Sequence, residues 1–424
     1  MKKLNKAQIT AKSVEISKCL INTSPGLVDY DLGVTRRIGD AARLAVAIRC
    51  HAEPINRQNL AGVSSSLKMD FRNVESDFIP MFEKLDWIEV KQDGNRIGTI
   101  TEKIPPAADI LSTLGTIWED QQPTAIDKAT IYSLAELSRR PYSKEALLSE
   151  LNIKEEDFEA TLDYGEMANY LGKLKSDEYE LETIWTPLYW ATNYDNVATF
   201  IKKQNEERLK VIGSLVDNFR KYPGMPIEKM GNQATLIGSG IYHGFFPSVA
   251  IGDRNNMSHQ YLFSATPQFQ TDSNSDIYEK ARLIVSCVRH GQHHAEVSRI
   301  LYPRSILNAM RNNCMKPHPY AVVQYAVLVL QGIVKLEPAE TRYGKAYRVV
   351  WRDTPENNLA AEMADNLLQG EAPVTSKDEL EAKEILVKGV YSYSSELRRL
   401  SATKEVKAKK EYDRLMELAS GVKL

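Results

Sequence analysis

The segment ESDFIPMFEKLDWIEVKQDGNRIGTITEKIP, Glu75 to Pro105, decides how this chain is read. Phe78, Met81, Phe82 and Leu85 recur at helical spacing, which predicts an amphipathic helix. Trp87 to Val90 alternates as a strand, Asp93-Gly94-Asn95 has the composition of a tight hairpin turn, and Ile97 to Ile104 returns. Pro105-Pro106 then ends the strand, because proline has no N–H for a ladder.

The same order recurs along the chain. In EEDFEATLDYGEMANYLGKLKSDEYELETIW, a helix leads into Tyr170 to Leu174, the turn falls near Ser176-Asp177, and Tyr179 to Trp185 returns. In PYAVVQYAVLVLQGIVKLEPAETRYGKAYRVVW, an apolar helix closes at Gly332, Ile333 to Leu336 goes out, and Ala346 to Trp351 returns around Tyr343-Gly344-Lys345. A looser copy, GSGIYHGFFPSVAIGDRNNMSHQYLFSATP, goes out near Phe245, turns at Asp253 to Asn256 and returns over Gln260 to Ala265. The outgoing strands begin near 87, 170, 245 and 333, at intervals of 83, 75 and 88 residues, a pitch that suggests four copies of one small unit.

A hairpin preceded by helices and closed by charged or Gly-bearing turns resembles the winged-helix form of the helix-turn-helix. Upstream helices are available in TRRIGDAARLAVAIRCHA and INRQNLAGVSSSL for the first copy, and in TAIDKATIYSLAELSRR and SKEALLSELNI for the second. For the last copy they are SDIYEKARLIVSCVRHG and RSILNAMRNN. The resemblance is to a superfamily, covers about two thirds of the chain and carries no family-specific signature. The alternative is a set of ordinary helix–hairpin pieces in an unrelated α+β fold.

The fold expected is therefore α+β and helix-rich, with tandem winged-helix-like units, long connecting helices and a helical C-terminal tail. The divisions are 1–106, 107–195, 196–272, 273–369 and 370–424. Val197 to Tyr222 reads as one long connecting helix ending before Pro223-Gly224, and Gly370 to Ser376 as a linker to a Lys- and Glu-rich tail.

Composition bounds the function. Length alone, 424 residues, implies several domains. With 54 Lys and Arg against 56 Asp and Glu, the chain is not a uniformly basic coat for nucleic acid. Cys19, Cys50, Cys287 and Cys314 form no CxxC pair, as expected of unpaired thiols in a reducing cytoplasm. The polar, amphipathic N-terminus lacks the apolar core of a signal peptide. The longest apolar run, Tyr320 to Val334, is broken by Gln324, Gln331 and Gly332, so no membrane span is expected.

Charge separates the units. Glu119 to Ile184 holds sixteen acidic and seven basic residues, a net of −9 that repels phosphate. Ile277 to Arg352 holds twelve Lys and Arg against four Glu, a net of +8, with His290, His293, His294 and His318 in addition. Such asymmetry is the electrostatic footprint of a nucleic-acid contact. Arg304 and Arg311 are expected on the second helix of this unit, and Arg342, Lys345 and Arg348 on its hairpin, where a wing meets phosphate. The helix from Tyr320 to Leu330 offers only Gln324 and Tyr325 as polar readers, so the contact is expected to be to the backbone. The first unit carries Arg36, Arg37, Arg43, Arg49 and Arg57, but Glu75, Asp77 and Glu83 occupy its reading helix, which points to a protein partner.

Catalytic signals are weak. His290 and His294 are four apart and would share a helical face able to hold a metal, but Gly291 is expected to end the helix and only Glu296 follows. These histidines are therefore read as polar surface or phosphate donors, with no metal and no cofactor called for. GSGIYHG, Gly238 to Gly244, lacks the context of a phosphate loop and reads as a tight bend. Nothing assembles an acid, a base and a nucleophile. The expectation is a cytoplasmic, non-enzymatic binder of nucleic acid, most readily duplex DNA, with partner proteins or self-association through the acidic unit and the tail. A protein-binding scaffold is the alternative, and an enzyme centred on His290, His293 and His294 comes third.

Overall fold

The computed structural model describes residues 4–369 except 24, 50–53, 95, 177, 191–192, 253–256, 266–271, 296–298 and 342–343. The expected tail, 370–424, lies outside the described residues. The chain is helix-rich α+β, and among the described residues four small antiparallel sheets each follow helices.

The first unit runs from helix Gly33–Arg49 to the two-residue strand Ile55–Asn56, then helix Arg57–Ser66. A helical run in three pieces follows, Phe71–Asn73, Val74–Phe78 and Ile79–Lys84, whose middle piece is a π-turn. Pro80 has no N–H to give back to the preceding turn, and the wider turn accommodates that loss. Strands Ile88–Asp93 and Arg96–Glu102 close the unit as the Asp-Gly turn foretells, and Ile55–Asn56 pairs with the returning strand.

The second unit repeats this path through Ala125–Leu137, Tyr142–Ser143, Lys144–Leu151, Glu155–Met167, Gly172–Lys175 and Glu182–Trp185. The third repeats it through Glu206–Lys221, Met225–Pro226, the 3-10 helix Ile227–Gln233, Ala234–Tyr242, Ser248–Gly252 and Ser258–Leu262. In all three the sheet order is short strand, returning strand, outgoing strand. Side-chain caps set the helix starts: Asn56 accepts from the Asn59 N–H, Ser143 from Ala146 and Asn205 from Arg208.

The fourth unit departs from the pattern. Its long hairpin pairs Val334–Thr341 with Gly344–Trp351, and the short strand shrinks to one bridge between His318 and Tyr347. The helix before that bridge is Pro303–Arg311, and the expected reading helix is two pieces, Ala321–Gln324 and Ala326–Leu330, broken at Tyr325.

Three further expectations are corrected. Val197 to Tyr222 is two helices, Tyr194–Lys202 and Glu206–Lys221, because the Asn205 cap starts a new one. Helix Asp272–His293 does not stop at Gly291. The glycine serves packing there: a Cβ would lie 2.4 Å from Ile300 Cδ1 and 2.7 Å from Gln324 Nε2. GSGIYHG is the end of helix Ala234–Tyr242 rather than a bend throughout; only Gly244, at φ +78°, makes the left-handed turn.

Helix Lys6–Cys19 is the largest departure from expectation. Read as polar and amphipathic, it is buried on every side against helices Gly33–Arg49 and Ala107–Asp120. Small residues allow this approach: a Cβ on Gly39 would lie 2.2 Å from the Ser13 carbonyl oxygen, and one on Gly115 2.1 Å from that of Lys6. The buried Lys12 Nζ donates to both Glu15 carboxylate oxygens at 3.0 Å and to Tyr189 Oη at 2.6 Å.

Apolar side chains between residues 7 and 262 form one continuous core, and those between 249 and 368 form a second. The strand Ser258–Leu262 serves both. Side chains alternate along a strand, so Leu262 enters the first core while Tyr261, with Phe263 just beyond the strand, enters the second. His259 is two residues from Tyr261 and shares the face turned to helix Asp272–His293. Among the described residues, no helix is long and apolar enough to cross a membrane.

Candidate nucleic-acid interface and a histidine cluster

Helix Pro303–Arg311 packs on the returning strand Gly344–Trp351, so one unit carries the expected cations. They are not equivalent. Arg304 Nε and Nη2 each donate at 2.8 Å to the two carboxylate oxygens of Asp365, on helix Pro355–Leu368. Burial works against the Asp365 carboxylate, but the Arg304 hydrogen bonds and charge outweigh it and hold its pKa below the usual range. Arg304 therefore braces two helices. The Arg304 side chain is 54% exposed, so water screens the pair. Arg304→Ala is expected to lower stability by no more than about 1 kcal/mol, measured as a small fall in urea midpoint.

Arg311 is half-buried, and its charge also acts on Asp365. Lys345 and Arg348 are exposed, but three residues apart on a strand they face opposite sides. Each stands across the ladder from an acid, Arg348 from Glu337 and Lys345 from Glu340. Lys335 Nζ lies 2.7 Å from Glu337 Oε1, and with Arg348 it lowers the Glu337 pKa. Arg342 lies outside the described residues.

The first unit's arginines are largely engaged within the fold. Arg57 donates twice to Glu75, at 2.7 and 2.8 Å, and its guanidinium lies over the Phe71 ring. Arg43 is buried between Asp40 and the Leu67 carbonyl. The third unit presents an uncharged polar face: Asn232, Gln233, Thr235 and Tyr242 are exposed on or beside helix Ala234–Tyr242, and the helix carries no charge. The signal was present as NQATLIGSGIY, but its glycines drew it toward a bend.

The histidines gather where the two cores meet. His290 and His294 come from the end of helix Asp272–His293, His259 from the third unit's returning strand, and Glu228 from its 3-10 helix. The His259 and His294 rings stack with centroids 3.8 Å apart. His259 Nδ1 lies 2.7 Å from Glu228 Oε1, and His294 Nε2 lies 3.9 Å from Glu228 Oε2. One ligand atom from each of the three residues falls within 4.8 Å of the other two. Buried His290 Nδ1 is 3.0 Å from Tyr261 Oη, which fixes its ring.

His293 turns elsewhere, with Nε2 3.0 Å from Tyr222 Oη. Burial, helped by the nearby charges of Lys229 and Arg289, pushes its pKa down to about 4. Cys287 and Cys314 do not join these histidines. Cys287 is packed in the second core with its thiol pKa raised by burial, and Cys314 is exposed after helix Pro303–Arg311. The carboxylate that seemed missing comes from Glu228, and neither it nor His259 lies near the histidine run in sequence. The sequence matches no family model, and no curated protein and no solved structure matches it.

Proposed function

We propose that this protein binds duplex DNA through tandem winged-helix units. The reading is carried by one observation: the path helix, short strand, helix, helix, hairpin occurs three times, each time with the short strand on the returning strand. That order is the winged-helix order, and it leaves the last helix and the hairpin tip free to meet a groove and its flanking phosphates. The fourth hairpin supplies phosphate contacts through Arg342, Lys345 and Arg348. The uncharged face of the third unit, with Asn232, Gln233, Thr235 and Tyr242, has the amide and hydroxyl groups that reach base edges.

Phosphate contacts release counterions, so each contributes a slope of about −0.9 to log K against log salt. Replacing Arg342, Lys345 and Arg348 together by Ala is expected to weaken binding to all duplex sequences alike and to flatten that slope by about 2–3 units. Titrating labelled duplex at several salt concentrations measures both. An unchanged slope removes the hairpin from the interface.

A second reading, a scaffold that binds proteins alone, is favoured by exposed apolar side chains on the fourth unit. Leu301, Tyr302 and Leu330 are 76%, 73% and 82% exposed. That reading predicts no duplex binding by the unaltered chain even at low salt.

A further inference from the structure

Four of the seven histidines in the chain, His259, His290, His293 and His294, lie around one joint. The joint is where the third unit's sheet meets helix Asp272–His293. We propose that Glu228, His259 and His294 form a site for a divalent transition-metal ion of the zinc class, independent of any nucleic-acid contact.

Geometry carries the assignment. Zinc binds imidazole nitrogen and carboxylate oxygen at about 2.0–2.1 Å, which in a tetrahedron separates ligand atoms by roughly 3.3 Å. His259 Nδ1 and His294 Nε2 lie 2.7 and 3.9 Å from different oxygens of the Glu228 carboxylate, and one ligand atom from each of the three residues falls within 4.8 Å of the other two. Binding requires the two imidazoles, which stack with their planes 23° apart, to turn until their lone pairs meet at one point, and Glu228, an exposed side chain, to present one oxygen there. Two nitrogens and one oxygen suit zinc, cobalt or nickel, whereas calcium and magnesium require more oxygens. Water completes the shell on the open side beside Glu228.

The surroundings act in both directions. His294 follows directly on the C-terminal end of helix Asp272–His293, where the backbone dipole favours positive charge. Lys229 and Arg289 are close enough to act on His293 and oppose a further cation. A ligand set of one carboxylate and two neutral imidazoles overcomes this through bonding to nitrogen. Because the three ligands come from both sides of the joint, the ion would pin the third unit to helix Asp272–His293.

The test uses untagged full-length chain stripped with a chelator and titrated with Co²⁺, then with Zn²⁺. The expected result is one Co²⁺ per chain with visible bands of tetrahedral intensity, displacement by Zn²⁺, and a higher melting temperature with either ion. Glu228→Gln and His259→Ala should each weaken Co²⁺ binding at least about tenfold, and His318→Ala, at a distant position, should leave it unchanged. Glu228 is a surface residue, so its variant keeps the test open where His259→Ala fails to fold. No binding at micromolar Co²⁺, or equal binding by the wild type and Glu228→Gln, would overturn the site. So would ion-independent melting in which only pH matters, since that marks the cluster as imidazole–carboxylate pairs.

Discussion

Lys12→Met, in the otherwise intact chain, is expected to lower stability by about 3–5 kcal/mol. Lys12 and Glu15 are buried in the middle of the first core, with side-chain exposures of 10% and 1%. Their mutual hydrogen bonds, and that from Lys12 to Tyr189 Oη, replace the water they have lost. Removing the ammonium leaves the Glu15 carboxylate as an uncompensated buried charge, which costs far more than the pair itself contributes. The triple variant Lys12→Met, Glu15→Leu, Tyr189→Phe removes these three polar groups together and should lie within about 1–2 kcal/mol of wild type, on either side. Urea midpoints of the two variants decide between a charge network and mere packing volume. If the single variant is no less stable than the triple, the network has no role.

Gly39→Val should be comparably damaging, for a different reason. The atoms that its Cβ would meet at 2.2 and 2.7 Å are the backbone carbonyl oxygen and carbon of Ser13, which cannot rotate away. Helices Lys6–Cys19 and Gly33–Arg49 would have to separate along their length, at a cost of about 3 kcal/mol or more. Gly62→Ala is the matched control: its Cβ meets nothing within 4 Å, and a helical glycine replaced by alanine gains about 0.5–1 kcal/mol. Thermal unfolding of the two variants should move in opposite directions. A Gly39→Val protein melting at the wild-type temperature would show that the close crossing is not needed.

Local signals carried the hairpins. The Asp-Gly pair at 93–94 and the alternation around Trp87 place the first within three residues, and the same order locates the other three more coarsely. What failed was long-range. Lys6–Cys19 reads as polar and amphipathic, with Lys12 and Glu15 among its charges. Tyr189, far along the chain, and the small residues of Gly33–Arg49 and Ala107–Asp120 explain its burial. The histidine joint was half legible. The spacing of His290 and His294 was plain, but Gly291 was read as a helix stop, although it is there to admit Ile300. Glu228 and His259 come from other elements that only the fold brings near. Arg304 was legible as a cation but not as a brace, since Asp365 lies 61 residues away.

The buried position of helix Lys6–Cys19 has a bearing on how the chain is made. Lys12 finds its hydroxyl partner 177 residues downstream, and Thr10 donates to the Leu111 carbonyl 101 residues downstream. At a ribosomal rate of about 5–20 residues per second, the helix waits roughly 10–35 s before Tyr189 is synthesised. During that interval its ammonium lacks the Tyr189 hydroxyl, although helices Gly33–Arg49 and Ala107–Asp120, which cover its apolar residues, are made earlier. The first unit therefore cannot reach its final packing while it emerges; it must reopen around the helix or hold it loosely until the second unit is complete. Vectorial synthesis and final architecture run in opposite order here, and slow elongation up to residue 189 would lengthen the period in which a half-made chain is open to holdases or to its neighbours.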